Sequence, residues 1–188
     1  MGARGKRTIN SNNGFTEPDL MKDIDDLLKQ ARENGCYNGD KLDVKKLVSY
    51  VSTTNPNEPI SLLYEQLDAA TSGSLTYEDG LWIIRVNNNH NPRRQRFTIL
   101  HELGHYMLHR NKLQSFTDEI FFRARVKGDI EYKANEFASK LLMPEDSVRK
   151  AIAEGVRNLG LLAERFDVSS PAMKIRVQEL GYKLKQNE

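Results

Sequence analysis

From Pro18 onward the apolar positions step by threes and fours. Leu20, Ile24, Leu27, Leu28 and Ala31 predict an amphipathic helix, and Gly35 supplies its stop. Asp40 or Asp43 is placed to cap a second helix whose apolar face is Leu47, Val48 and Val51. Residues 54–59 hold two prolines and read as a loop. The period then changes. Residues 60–67 are apolar-rich, Ser72-Gly73 is a turn signal, 74–77 suits a short strand, and Glu78-Asp79-Gly80 is another turn. Leu81, Trp82, Ile83, Ile84 and Val86 follow as the strongest strand signal in the chain. Three such segments joined by tight turns predict a small antiparallel sheet. Helical periodicity returns over 94–109 and again over 130–143, where Pro144 ends it. A further helix is expected at 145–153, and two short ones at 159–184 around Val168-Ser169-Ser170-Pro171.

The pattern fits one main domain with an appendage. Residues 1–14, polar and basic with Arg4, Lys6 and Arg7, read as a disordered tail. Residues 15–150 form the main domain, and 151–188 a helical C-terminal segment. Lys plus Arg number 28 against 26 Asp plus Glu, so the net charge of +2 gives no global pull toward nucleic acid or anionic membrane. One cysteine, Cys36, excludes an internal disulfide and any cysteine-rich zinc site. No apolar run approaches the ~20 residues that span a bilayer, and no hydrophobic stretch follows the basic start as in a signal peptide. A cytoplasmic protein is expected.

The chemistry gathers in His101-Glu102-Leu103-Gly104-His105, inside the helical window 94–109. Residues four apart on a helix lie ~40° apart around the axis and ~6 Å along it. Two imidazoles so placed reach one tetrahedral Zn²⁺ at ~2.0–2.1 Å. Glu102 lies beside them, within reach of a water that the metal activates, which is the place of a general base. Phe97, Ile99, Leu100, Leu103 and Leu108 bury the helix, and all four histidines of the chain (His90, His101, His105, His109) fall in this region. A site that keeps one position for water needs a third protein ligand. Asn111 stands six residues after His105, so a third histidine at that spacing is excluded. The next helix offers Asp129, Glu131 and Glu136. Its buried stripe runs through Ala134, Phe137, Ala138, Leu141 and Leu142. Glu131, one turn before Ala134 and Asn135, fits the rim of that stripe, whereas Glu136 points further out. Glu131 is therefore preferred, with Glu136 and Asp129 behind it. Ala134 is small enough to let the two helices approach, and Asn135 is placed to orient a ligand histidine.

His109, ~80° off the line of His101, reads as structural, and His90 as an exposed loop residue. Tyr106, Tyr132, His90 and Arg94 are open candidates for a second oxyanion donor. Amide hydrolysis is the natural reaction for the set, with substrate added as a strand along an exposed sheet edge, for which 81–87 is the candidate. No specificity pocket is readable.

The run Arg96-Phe97-Thr98-Ile99-Leu100-His101-Glu102-Leu103-Gly104-His105, continuing to Leu108-His109, resembles the ImmA/IrrE family of metallopeptidases. So does Glu131-Tyr132-Lys133-Ala134-Asn135-Glu136-Phe137-Ala138 with Leu141-Leu142-Met143-Pro144. The likeness is strong over about residues 80–145. Phe166-Asp167-Val168-Ser169 and Arg176-Val177-Gln178-Glu179-Leu180 look like that family's C-terminal segment. The resemblance implies His101, His105 and Glu131 as ligands of one zinc ion, and Glu102 as the catalytic base. It also implies an endopeptidase acting on a helix-turn-helix transcriptional repressor of a phage, mobile element or stress response. The fold expected is α+β: N-terminal helices, a small antiparallel sheet, two zinc-bearing helices in a gluzincin-like minimal core, and a helical tail.

Two other readings compete. Residues 161–180 resemble a helix-turn-helix, with Lys174, Arg176 and Lys183 as phosphate contacts, although Glu179 among them weakens DNA binding. An interaction protein with a structural or sensory zinc is the other, but such a site has no use for Glu102.

Overall fold

The computed structural model describes residues 20–113 and 124–183, so the tail at 1–14 lies outside the described residues. Helix α1 spans Leu20–Glu33 and buries Ile24, Leu27 and Ala31. Two-residue strands β1 (Tyr37–Asn38) and β2 (Lys41–Leu42) then pair antiparallel. Asp43, not Asp40, caps α2 (Val44–Thr54), its side chain accepting from the Lys46 amide at 3.0 Å. Asp40 is instead ion-paired with Arg165 in the C-terminal segment.

The main sheet has three strands, β3 (Ile60–Glu65), β4 (Gly73–Glu78) and β5 (Leu81–Asn87), in the order β3-β5-β4. The hairpin β4–β5 is antiparallel and turns on Asp79 and Gly80, both with positive φ (49° and 85°), as a tight hairpin with right-handed strand twist requires. β3 joins the other side of β5 in parallel, from Ile60 opposite Trp82 to Glu65 opposite Asn87. The expected antiparallel sheet is thus mixed, alongside the small antiparallel β1–β2 pair. The link 66–72 carries the chain across to the far edge. Asn87, fully buried, pins that link. Its Nδ2 sits 3.2, 3.0 and 2.9 Å from the carbonyls of Leu67, Asp68 and Thr71. The expectation that 81–87 is an edge is also corrected. β5 is central, and its apolar residues are buried on both faces: Trp82, Ile83, Ile84 and Val86 are at most 9% exposed.

Helix α3 (Pro92–Leu113) packs on β4, β5 and α4 (Ala124–Leu142), and both helices begin earlier than their periodicity suggests. Gly73 is a strand residue rather than a turn. A Cβ there would stand 2.5 Å from the Arg85 carbonyl and 2.5 Å from Thr98 Cγ2, so β4 passes under α3 only because the side chain is missing. Pro144 ends α4 as expected, and α5 (Glu145–Ala153) follows.

The tail forms α6 (Leu159–Phe166) and α7 (Ser170–Glu179), with Asn158 and Ser169 as side-chain caps and Asp167 left-handed between them. Arg93 and Arg96 of α3 both grip Asp167, at 3.3 and 3.2 Å, which ties this pair to the first turns of α3. Arg176 is 6% exposed and donates from Nε to the Met143 carbonyl at 2.9 Å. It lies on the core face of α7 beside Met173 and Val177, so it is not available as the phosphate contact that its charge suggested.

Candidate metal centre

The helices α3 and α4 meet through their smallest residues. A Cβ on Gly104 would stand 3.1 Å from Phe137 Cδ1, 3.2 Å from Ala134 Cα and 3.3 Å from the Ala134 carbonyl, and Ala134 itself is fully buried. This approach lets a side chain on α4 reach those on α3. Gly104→Val forces the branched side chain against the α4 backbone, and overpacking of this kind costs about 1–3 kcal/mol. Denaturant unfolding of the variant should show a loss of that size. No loss would mean that the helices separate freely.

His101, His105 and Glu131 offer ligand atoms that all lie within 4.8 Å of one another. The two Nε2 atoms are 3.0 Å apart, and Glu131 oxygens stand 3.2 Å from His101 Nε2 and 3.5 Å from His105 Nε2. Bonds of ~2.0–2.1 Å at tetrahedral angles put neighbouring ligand atoms roughly 3.3 Å apart. The three separations straddle that value, so the set fits a single ion. The donor chemistry agrees. His101 Nδ1 is 3.0 Å from Asn135 Oδ1, an acceptor, which puts the ring proton on Nδ1 and leaves the Nε2 lone pair facing the cluster. That lone pair, a second imidazole nitrogen and a carboxylate then converge on one point, which a cation satisfies and one shared proton does not. The two histidine side chains are 15% and 12% exposed, and Glu131 is 45% exposed, so the cluster is sheltered by α3 and open on the α4 side.

Glu102 lies beside the cluster and is 8% exposed. Burial first, and the Glu131 charge second, push its carboxyl from the ordinary 4.5 up to about 7. For metal-free protein this sets a stability profile. Below about 4.5 the group is protonated folded and unfolded alike, so its contribution is constant. Between about 4.5 and about 7 the folded protein keeps the proton that the unfolded chain releases. Metal-free protein should therefore lose about 3 kcal/mol of stability as pH rises through that window. Chemical unfolding at several pH values should show the fall, and Glu102→Gln should remove that component.

The other candidates separate cleanly. Asp129 is exposed, and Glu136 is ion-paired with Lys140 at 2.8 Å; neither belongs to the cluster. Tyr106 is fully buried and donates to the Glu58 carbonyl at 2.7 Å, so it is not free to serve an oxyanion. Arg94 holds Ser72 Oγ, from Nη2 at 2.7 Å. Tyr132 is 66% exposed, next to Glu131. His90 is not the exposed residue expected. It is half-buried, with Nδ1 enclosed and Nε2 3.4 Å from the Ala69 carbonyl, and it packs on the crossing link. The His109 side chain lies outside the described residues.

Comparison with known proteins adds the chemistry's context. Residues 57–178 match the Peptidase M78 family, described as the IrrE N-terminal-like domain. The chain is 27% identical over 170 residues to metallopeptidase ImmA of Bacillus subtilis, covering 89% of each protein. It is 34% identical over 92 residues to the radiation response metalloprotease IrrE of Deinococcus radiodurans, covering 47% of this chain but 28% of that protein. Its fold is similar to that of a Mycobacterium tuberculosis transcriptional regulator, with a TM-score of 0.59 and 19% identity, over 84% of this chain and 46% of the other.

Proposed function

We propose that this chain, which belongs to the peptidase family described as the IrrE N-terminal-like domain, is an endopeptidase that uses one zinc ion held by His101, His105 and Glu131. The metallopeptidase character comes with the family, and with it a divalent metal and a protein substrate. The observation that carries the assignment of residues is the trio of separations, 3.0, 3.2 and 3.5 Å, among the two imidazole Nε2 atoms and the two Glu131 carboxylate oxygens. When bound there, zinc supplies Lewis acidity and makes water acidic enough to give up a proton near neutral pH. Glu102 is the general base. Its carboxylate takes a proton from water and delivers it to the departing amine nitrogen. In the metal-free protein burial holds this carboxyl above the ordinary carboxylate range, and a cation held beside it favours the carboxylate form that accepts the proton.

Asn135 is a positioning residue. Its Oδ1 accepts from His101 Nδ1 and so fixes both the tautomer and the ring plane. Asn135→Ala should weaken zinc affinity by about 10–100-fold, measured by competition with a chromophoric chelator. Unchanged affinity would remove it from the site.

For the substrate we take the helix-turn-helix repressor that the ImmA/IrrE resemblance implies, from a phage, mobile element or stress response. A cytoplasmic location goes with that substrate, and among the described residues no helix is long and apolar enough to cross a membrane. The test is to incubate zinc-loaded full chain with the repressor encoded beside it and to read the products by mass spectrometry. A discrete internal cut that a chelator stops and zinc restores is the expected result. An intact repressor, under conditions where another protein is cut, would overturn the substrate assignment.

A further inference from the structure

A groove of about 790 Å³ runs along the seam between the first turns of α3 and the second half of α4, and α7 closes its third side. That is the size range of sites that hold ligands. Its walls are apolar: Phe97, Leu142, Met143, Val168, Ala172 and Ile175. Two large side chains at its sides stay exposed, Tyr132 at 66% and Ile175 at 58%, which is where apolar surface marks a binding site rather than a core. The groove neighbours the metal cluster through Asn135, although none of His101, His105 and Glu131 lines it. Asn135 both lines it and accepts from His101, Phe97 is one turn before His101, and Tyr132 follows Glu131 directly. Charge also selects. Of the four charged residues in the lining, Arg93 is paired with Asp167, Glu136 with Lys140 and Glu179 with Arg176. Arg94 has only the Ser72 hydroxyl, so among the described residues it is the lining charge without a counter-ion.

We propose that this groove is the specificity-determining subsite of the peptidase, taking large aliphatic or aromatic side chains of the protein substrate next to the bond that is cut, with Arg94 receiving a substrate carboxylate. The inference rests on the proposed function, because it uses the metal cluster as the place of cleavage. It also gives α6 and α7 a role in this chain. Asp167, held by Arg93 and Arg96, brings Val168, Ala172 and Ile175 up as the wall that α3 and α4 lack.

The test is capture of peptides from a synthetic library of end-blocked peptides with randomised centres. The bait is zinc-loaded full chain carrying Glu102→Gln, so that bound peptides are not consumed. Captured peptides should be enriched in large apolar residues with an acidic residue nearby. Ile175→Asp, at an exposed position that leaves folding and zinc content unchanged, should lower their capture about tenfold. Arg94→Gln should abolish the acidic preference while keeping the apolar one. Capture with no apolar enrichment, equal capture by the Ile175→Asp protein, or no capture at all would overturn the subsite. Captured peptides that wild-type protein leaves uncut would instead overturn the proposed cleavage while the subsite stands.

Discussion

Replacing Glu102 by Gln should lower kcat by about 10²–10⁴-fold while zinc content stays at the wild-type level. The substitution keeps shape and removes only the ability to carry a proton. Glu102 is not among the converging ligand atoms, which are those of His101, His105 and Glu131. It is buried beside them. Metal binding and proton transfer are therefore separable in this site. Turnover of the substrate that wild-type protein cleaves, measured with metal content on the same preparation, reads both. A Glu102→Gln protein that cleaves at the wild-type rate would leave the chain without its base. One that has lost zinc would make Glu102 a ligand, which the geometry does not provide for.

Glu131→Ala should lower zinc affinity more than about a hundredfold, beyond what the loss of an outer hydrogen bond costs. The carboxylate is the one anion in the set and the contribution of α4. Without it two imidazoles 3.0 Å apart remain, and the ion keeps half of a tetrahedral shell. Among the described residues no neighbour replaces it, because Glu136 is engaged with Lys140 and Asp129 is exposed outside the cluster. Chelator competition, with folding checked by circular dichroism, gives the number. Wild-type affinity in the variant would move the third ligand elsewhere.

The distance between what could be read from sequence and what could not follows the length scale of each feature. His101 and His105 face the same way because four residues on a helix guarantee it. That Glu131 meets them depends on one long-range contact, but the buried stripe through Ala134 and the absence of a side chain at Gly104 announce it. Strand order was less accessible. The parallel pairing of β3 depends on a link that crosses the sheet, and the residue that pins it, Asn87, looks in sequence like any polar strand end. The unbroken apolar run of β5 was the available signal for a central strand. Gly73 was misread because a glycine that admits a neighbouring helix and one that turns the chain are alike in sequence. Arg176 of α7 is deceptive in the same way, since it donates to a carbonyl inside the fold. The groove had no sequence signature because three separated segments build it.

The proposed function requires His101, His105 and Glu131 to hold one cation between them. Zinc analysis with X-ray absorption spectroscopy on purified full chain tests this most directly. The prediction is one zinc per chain, with a first shell of two imidazole nitrogens and oxygen at ~2.0–2.1 Å, and with the imidazole signal halved in His105→Ala. A chain that binds no zinc, or a zinc shell that is unchanged when His105 is removed, would contradict it.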